Sequence, residues 1–339
     1  MKQVRITAPY TFQVEDAPIP EISGDQALVK INALGICGSD FQIYHGKHQF
    51  MTFPVILGHE AAVTVEKVGK DVTGFAPGDT AVVEPQVFCG ECVPCTQGRF
   101  NVCEKLKVLG VHLDGFSCEY AAVEARYLHK TPKTMNDALA ALTEPFAVGV
   151  AAARRSPRLS GALAAVVGAG TIGNFTAQAA KALGAKKTLI ADINQAKLDY
   201  ALQCGVDEAV NVRNRSLKDA ILEHFGSGRA DIIIDCAANP FTFKSILEAA
   251  RPNSDIVITG NFKEPVTFNL PIIQRQEIAL LGHMMYVRED FQTAIKLLSQ
   301  GGINTEKTVT KTFDFADYQE AYRYGDANPD SIMKLMIRF

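Results

Sequence analysis

The pattern of apolar and polar positions changes character near residue 164. Before it, the β-branched runs ALVKINAL, AAVTVEKVG and GDTAVVEP are short and separated by turn-forming residues, which predicts an all-β region with long loops over residues 1–146. The first helical period in the chain begins only around SPRLSGAL. From Ala164 onward, strand-like runs alternate with amphipathic ones: AAVVG, TIGNFTAQAAKALGA, TLIAD, NQAKLDYALQCG, DEAVNV, SLKDAILEHFG, ADIIIDCA, FTFKSILEAA, DIVITG and IALLGH. Apolar strands between helices imply a parallel sheet covered on both faces, and their number suits a six-stranded doubly wound domain over residues 147–282. After Gly282 only one good helix, REDFQTAIKLLSQG, and a terminal strand, SIMKLMIRF, remain, so residues 283–339 are expected to pack back on the first domain. The fold class is α/β, a β-rich domain followed by a doubly wound one.

Length agrees with two domains: 339 residues exceed what one ordinary core accommodates. The chain has 34 Lys and Arg against 37 Asp and Glu, a net charge of -3 that lacks the basic excess a nucleic-acid partner demands. An uncharged run from Gly161 to Ala180 has the length of a membrane span, but Gly168, Gly170, Gly173, Asn174 and Gln178 interrupt it, so no membrane association is expected. The opening MKQVRITAPYTFQVEDAP has neither the apolar stretch nor the cleavage site of a secretory signal, which points to the cytoplasm. In a reducing compartment the eight cysteines are not expected to pair as disulfides.

GAGTIG, comprising Gly168, Ala169, Gly170, Thr171, Ile172 and Gly173, succeeds a buried strand and opens a helix. In that context the first glycine permits the tight turn, the second lets a pyrophosphate approach the backbone, and the helix N-terminus faces the anion. Asp192 ends the next strand, nineteen residues beyond Gly173, where a carboxylate can bind both hydroxyls of an adenosine ribose and repel a 2′-phosphate. Ile193 and Asn194 come next and the nearest cation in sequence is Lys197, so NAD is expected rather than NADP. The blander alternatives are a structural turn for the glycines and a helix cap for Asp192.

Two groups of residues offer metal chemistry. Cys89, Cys92, Cys95 and Cys103 are spaced C-x2-C-x2-C-x7-C, enough thiolates to close a tetrahedron around Zn2+ and leave no place for a substrate. An iron–sulfur cluster is the rival, although its bacterial ferredoxin run has a final gap of about three residues and a following proline. Cys37 in GICGSD, His59 in LGHE and Glu144 in TEPFA offer a thiolate, an imidazole and a carboxylate, a set that with water makes an open zinc site. Asp40 can accept the second N–H of His59 and fix its tautomer. Taken singly each has an ordinary structural reading, and spacing alone does not bring the three together.

CGSD, GHE, the four-cysteine run, EPFA and GAGTIG, in this order and at these separations, resemble the zinc-dependent medium-chain dehydrogenases over essentially the whole chain. Within that family the sequence is similar to the polyol branch, which includes sorbitol and L-galactonate dehydrogenases and the bacterial starvation-sensing oxidoreductase. The resemblance implies a GroES-like catalytic domain, with a structural-zinc lobe at about 86–105, and a Rossmann domain. It implies catalytic zinc on Cys37, His59 and Glu144, with Glu60 behind it as a substitute ligand, and a proton relay beginning at Ser39. A homodimer or homotetramer is expected as well, with IALLGH either an edge strand shared across a dimer or an internal sixth strand. Three departures bear on the chemistry. Gln42 stands where many relatives carry a relay histidine, leaving His45 or His48 as stand-ins. Met285 in GHMMY replaces an arginine that touches substrate hydroxyls. The loop Asp114-Gly115-Phe116-Ser117-Cys118 lacks a glycine and is expected to reshape a pocket wall. Cys118, Cys204 and Cys236 are expected to be packed thiols.

The function these residues imply is oxidation of a secondary alcohol on a polyol or sugar acid, with hydride passing to NAD beside one catalytic and one structural zinc. The alternative is a non-catalytic regulatory protein on the same fold that senses NAD or a metabolite.

Overall fold

The structure is a computed structural model that describes residues 1–49 and 51–339. It divides into two compact units, Met1–Glu144 with Thr308–Phe339, and Pro145–Lys307. The expected return at 283 starts later, at Thr308. Residues 283–307 stay with the second unit because Arg154 ion-pairs with Asp290 at 3.1 Å and with Glu289 at 3.0 Å, while Gln178 and Asn304 exchange hydrogen bonds of 2.9 and 3.2 Å.

The first unit is built on a seven-stranded sheet. Its long strand Gln26–Ile36 buries alternate residues at first and then Ala33, Leu34, Gly35 and Ile36 in succession, as a strand does when its far end is covered on both faces. Glu60–Val68 runs antiparallel on one side, with Gly35 opposite Glu60. On the other side lies the last strand, Lys334–Arg338, with Leu335 opposite Ile36. These registers bring residues 37, 59–60 and 334 to one end of the sheet, although the sequence separates them by nearly its whole length.

The second unit carries six parallel strands in the order Glu208–Asn211, Lys187–Asp192, Leu163–Val167, Ile232–Asp235, Asp255–Ile258, Ala279–Gly282. Their apolar residues, among them Ala165, Leu189, Ile233 and Ile256, are completely buried under helices, the doubly wound arrangement that the sequence predicts. The IALLGH run forms the last strand, which pairs with Asp255–Ile258 and stands at the sheet edge rather than inside it.

Helix placement differs from expectation at two points. SPRLSGAL forms turns, and the helix lies just before it at Thr143–Arg154. That helix, TEPFAVGVAAAR, has almost no polar face and so carries little 3.6-residue period; at Gly149 an added Cβ would come within 2.8 Å of the Phe175 backbone, so small residues there set the approach of two helices. The short helix Gly38–Tyr44 interrupts the region expected to be all-β. The run Gly161–Ala180 is divided between a strand and the helix Thr171–Ala182, and among the described residues no helix is long and apolar enough to cross a membrane.

Candidate metal and dinucleotide sites

Cys37 ends the long strand and caps the helix Gly38–Tyr44, where Asp40 Oδ2 accepts its backbone N–H at 2.8 Å. Asp40 is wholly buried, and burial pushes its carboxyl above the usual range against the pull of His59 and of that N–H. Ser39, half-buried, stands on the same first turn. Gly58 introduces His59 with φ of +92°, a left-handed conformation that favours glycine, and a Cβ there would strike Leu34 at 2.5 Å.

His59 is 5% exposed. Burial opposes its charge, but Asp40 first, then Cys37 and Glu144, outweigh burial and hold the imidazole well above its ordinary value. Its Nδ1 lies 3.5 Å from Asp40 Oδ1, and neither atom has a hydrogen-bond partner. The expected tautomer-fixing contact is therefore near-neighbour electrostatics rather than a formed hydrogen bond.

The ligand atoms of Cys37, His59 and Glu60 lie within 4.8 Å of one another. Glu144, also buried, acts electrostatically on His59 and on Lys334 but stands outside this compact group. Strand register places Glu60 there: it starts the strand whose first residue faces Gly35, two residues from Cys37. Sequence reading missed Lys334. Its ammonium, 4% exposed, sits 2.6 Å from Glu60 and donates to Ile36 O at 3.2 Å, and Glu60 and Cys37 together keep it charged despite burial. A lone lysine in the apolar run SIMKLMIRF is the only trace of it in the sequence.

A second unforeseen feature anchors the His59 segment. Ser117 Oγ donates to Leu57 O at 2.8 Å, so its 2.6 Å contact with Tyr318 must have the phenol donating, and the 3.2 Å contact between Tyr318 and Tyr322 must have Tyr322 donating. All three residues are buried. The loop around Gly115 and Ser117 thus braces Leu57 and Gly58. Of the stand-in histidines, His45 is tied to Asp326 at 2.8 Å, whereas burial first, then His112 and His59, hold His48 below its ordinary value.

In the cysteine lobe the sulfurs of Cys92 and Cys103 are 3.8 Å apart and those of Cys89 and Cys103 3.5 Å. These separations are far beyond the ~2.05 Å of a disulfide. They approach the ~3.8 Å edge of a tetrahedron with Zn–S bonds of ~2.3 Å. Backbone N–H groups of Cys92 and Lys105 point at the sulfurs of Cys89 and Cys103, and such donors, from Glu91 and Cys92, lower the Cys89 thiol to about 6. The donor set fits a closed zinc site. Cys37, His59 and Glu60, their ligand atoms within 4.8 Å of one another and Glu60 Oε2 without a hydrogen-bond partner, fit an open one.

The glycine loop also fits its expected group. Gly168 has φ of +99°; a Cβ on Gly173 would lie 1.7 Å from Gly168 O, so the helix Thr171–Ala182 starts hard against the turn. Gly170, by contrast, has nothing within 4 Å of the Cβ it lacks, which leaves a cradle before Thr171 and Ile172 at the helix N-terminus. Asp192 accepts from Ala169 N at 2.6 Å and Asn194 N at 2.8 Å. The cap of the next helix is Asn194, whose side chain takes Lys197 N at 3.3 Å, so the capping alternative for Asp192 fails. Arg213 reaches this turn: its guanidinium donates to Ile193 O at 3.4 Å. Met285 takes a left-handed φ of +46°. Cys118 and Cys204 are buried thiols, whereas Cys236 is half-buried, its thiol pushed up to about 12 by loss of solvation.

Residues 23–133 match the alcohol dehydrogenase GroES-like domain and residues 171–300 the zinc-binding dehydrogenase domain. The chain belongs to the zinc-dependent medium-chain dehydrogenases, in their polyol branch, and is an oxidoreductase. It is 31% identical to sorbitol dehydrogenase of Bacillus subtilis over 96% of this chain and 94% of that one. It is 31% identical to L-galactonate-5-dehydrogenase of Escherichia coli, covering 97% and 95%. A crystal structure of an Escherichia coli alcohol dehydrogenase, rspB, complexed with NADH superposes with a TM-score of 0.93 at 32% identity, over 100% of this chain and 99% of the other.

Proposed function

We propose that the protein oxidises a secondary alcohol on a polyol or sugar acid to the ketone, with NAD as hydride acceptor. The observation that carries this is the contrast between two donor sets: four thiols that fill a tetrahedron, and Cys37, His59 and Glu60, mixed donors that leave a position open. Zinc at the open set supplies Lewis acidity that lowers the pKa of a substrate hydroxyl, and NAD supplies the hydride acceptor. Cys37 and Glu60 bring two negative charges toward the ion, that of Glu60 shared with the Lys334 ammonium, with Glu144 the nearby carboxylate able to exchange for Glu60. His59 gives up its proton to serve as a ligand, and Asp40 holds the ring in a negative field. Ser39 offers the hydroxyl that takes the substrate proton; Gln42 has no basic nitrogen to receive it next, which leaves His45 or His48 as the side chain for that step. Asp192 holds the adenosine ribose. The names of the relatives support the polyol or sugar-acid class, while Met285 removes the arginine on which a sorbitol assignment would rest. A cytoplasmic homodimer or homotetramer belongs to the same reading.

Metal analysis together with NADH formation on hexitols, pentitols and aldonic acids tests it. Two zincs per chain and turnover on at least one panel member are expected, and Cys37→Ser should remove one zinc and abolish turnover while NADH still binds. Full turnover in that variant removes the catalytic-zinc assignment, whereas a protein that holds metal and NADH yet oxidises none of these leaves the regulatory alternative standing.

A further inference from the structure

The strand register of the second unit brings a free cation to the residue that selects the coenzyme. Asp192 faces Asn211 across two parallel strands, and Val212 N donates to Asp192 O at 2.9 Å. Asn211 then locks the following turn: its Oδ1 accepts Arg213 N at 3.0 Å, and its amide reaches Gln195 Oε1 at 3.1 Å and Ile193 O at 3.4 Å. The backbone of residue 213 is thereby fixed beside the 192–194 turn, and the guanidinium reaches the carbonyl that comes after Asp192. Among the described residues Arg213 forms no ion pair, whereas Arg215, two positions on, is taken by Glu223 at 2.6 Å. One of its five N–H donors is engaged on Ile193 O, which leaves the planar fork to solvent at the rim of the ribose site.

We propose that Arg213 is a specificity-determining residue for the coenzyme: it is a latent contact for a 2′-phosphate, silenced in the native protein by the charge of Asp192. The inference rests on the dinucleotide reading above. An acid at the end of the second strand accepts ribose hydroxyls and repels a phosphate, and an arginine in reach of the same position binds that phosphate in bidentate fashion. In this chain both are present, twenty-one residues apart in sequence and adjacent in space. The preference for NAD is therefore set by a single carboxylate working against a cation, not by the absence of a cation.

The test is titration of the full-length, metal-loaded protein with NADH and with NADPH, monitored by nicotinamide fluorescence. Wild type should favour NADH. Asp192→Asn, which keeps an acceptor for the Ala169 N–H but removes the charge, should move the NADPH-to-NADH affinity ratio toward NADPH by about tenfold or more. Adding Arg213→Gln should cancel most of that gain, and the gain should shrink as salt is raised. Arg213→Glu, made with Asp192 and the glycine loop intact, should weaken NADPH more than NADH, so the inference is tested even if Asp192→Asn folds poorly. If residue 213 leaves the ratio within about twofold in both backgrounds while wild type binds NADH, Arg213 is overturned and the dinucleotide site stands. If wild type binds neither coenzyme, the dinucleotide reading fails and Arg213 fails with it.

Discussion

Replacing Lys334 by methionine tests whether the buried cation, rather than the zinc alone, keeps Glu60 in the site. The side chains of Lys334 and Glu60 are 4% and 0% exposed and 2.6 Å apart, and the ammonium also satisfies Ile36 O. Methionine preserves volume and removes the charge, so it leaves a buried carboxylate without its counter-ion and a carbonyl without its donor. Breaking one side of such a pair costs about 3–5 kcal/mol. For a unit of the size of Met1–Glu144 with Thr308–Phe339, each kcal/mol moves the melting temperature by about 2–4 °C, which predicts a fall of about 6–20 °C in chelator-treated protein. Zinc loading should reverse part of the loss, because the ion shares the carboxylate's charge. Adding Glu60→Gln should also recover stability in the metal-free protein, since it removes the unpaired charge. Scanning calorimetry of wild type, both single variants and the double variant measures the coupling. A metal-free Lys334→Met that melts within about 2 °C of wild type, or singles that simply add in the double, would refute the argument.

The same geometry sets other outcomes. Cys92→Ser should lower zinc by one per chain and make the 86–105 lobe protease-sensitive while Cys37-bound metal remains, which metal analysis after limited proteolysis will show. Gly173→Ala places a Cβ 1.7 Å from Gly168 O and should weaken NADH binding at least about tenfold by pushing the helix N-terminus from the turn. Tyr318→Phe breaks the chain from Tyr322 to Leu57 O and should cost about 1–3 kcal/mol in stability and speed zinc loss to a chelator. Asp207 is partly buried, which raises its carboxyl, but Lys181 and two bonds from Thr188 outweigh burial and hold it below the usual carboxylate range. Its depressed value contributes stability that is present above the unfolded value and lost as pH falls through the folded one. Asp207→Asn should therefore destabilise by about 1–2 kcal/mol at neutral pH and lose that difference in strong acid, as seen in denaturation under both conditions.

What the sequence made legible was chemistry encoded in short spacings. The four cysteines fall within fifteen residues, and GAGTIG sits between a strand and a helix, so local geometry suffices for both. Asp192 could be placed because the doubly wound pattern fixes where the second strand ends. The grouping of Glu60 with Cys37 and His59 was harder, since Glu60 reaches Cys37 by facing Gly35 across antiparallel strands. Lys334 and Arg213 were out of reach for the same reason: each arrives by strand register from a distant segment, and neither belongs to a motif. The helix at Thr143–Arg154 escaped because an alanine-rich helix buried on most sides has no amphipathic signature.

The position of the last strand has a consequence for biosynthesis. Lys334–Arg338 lies between Gln26–Ile36 and Val309–Asp314, so the early sheet acquires its full complement of neighbours only after residues 309–338 have emerged from the ribosome. The second unit, continuous from Pro145 to Lys307, has all its strands by then and is free to mature first. Nascent chains stalled just short of Lys334 should consequently bind NADH but not retain metal at Cys37, making the first unit the late-assembling one although its sequence is translated first.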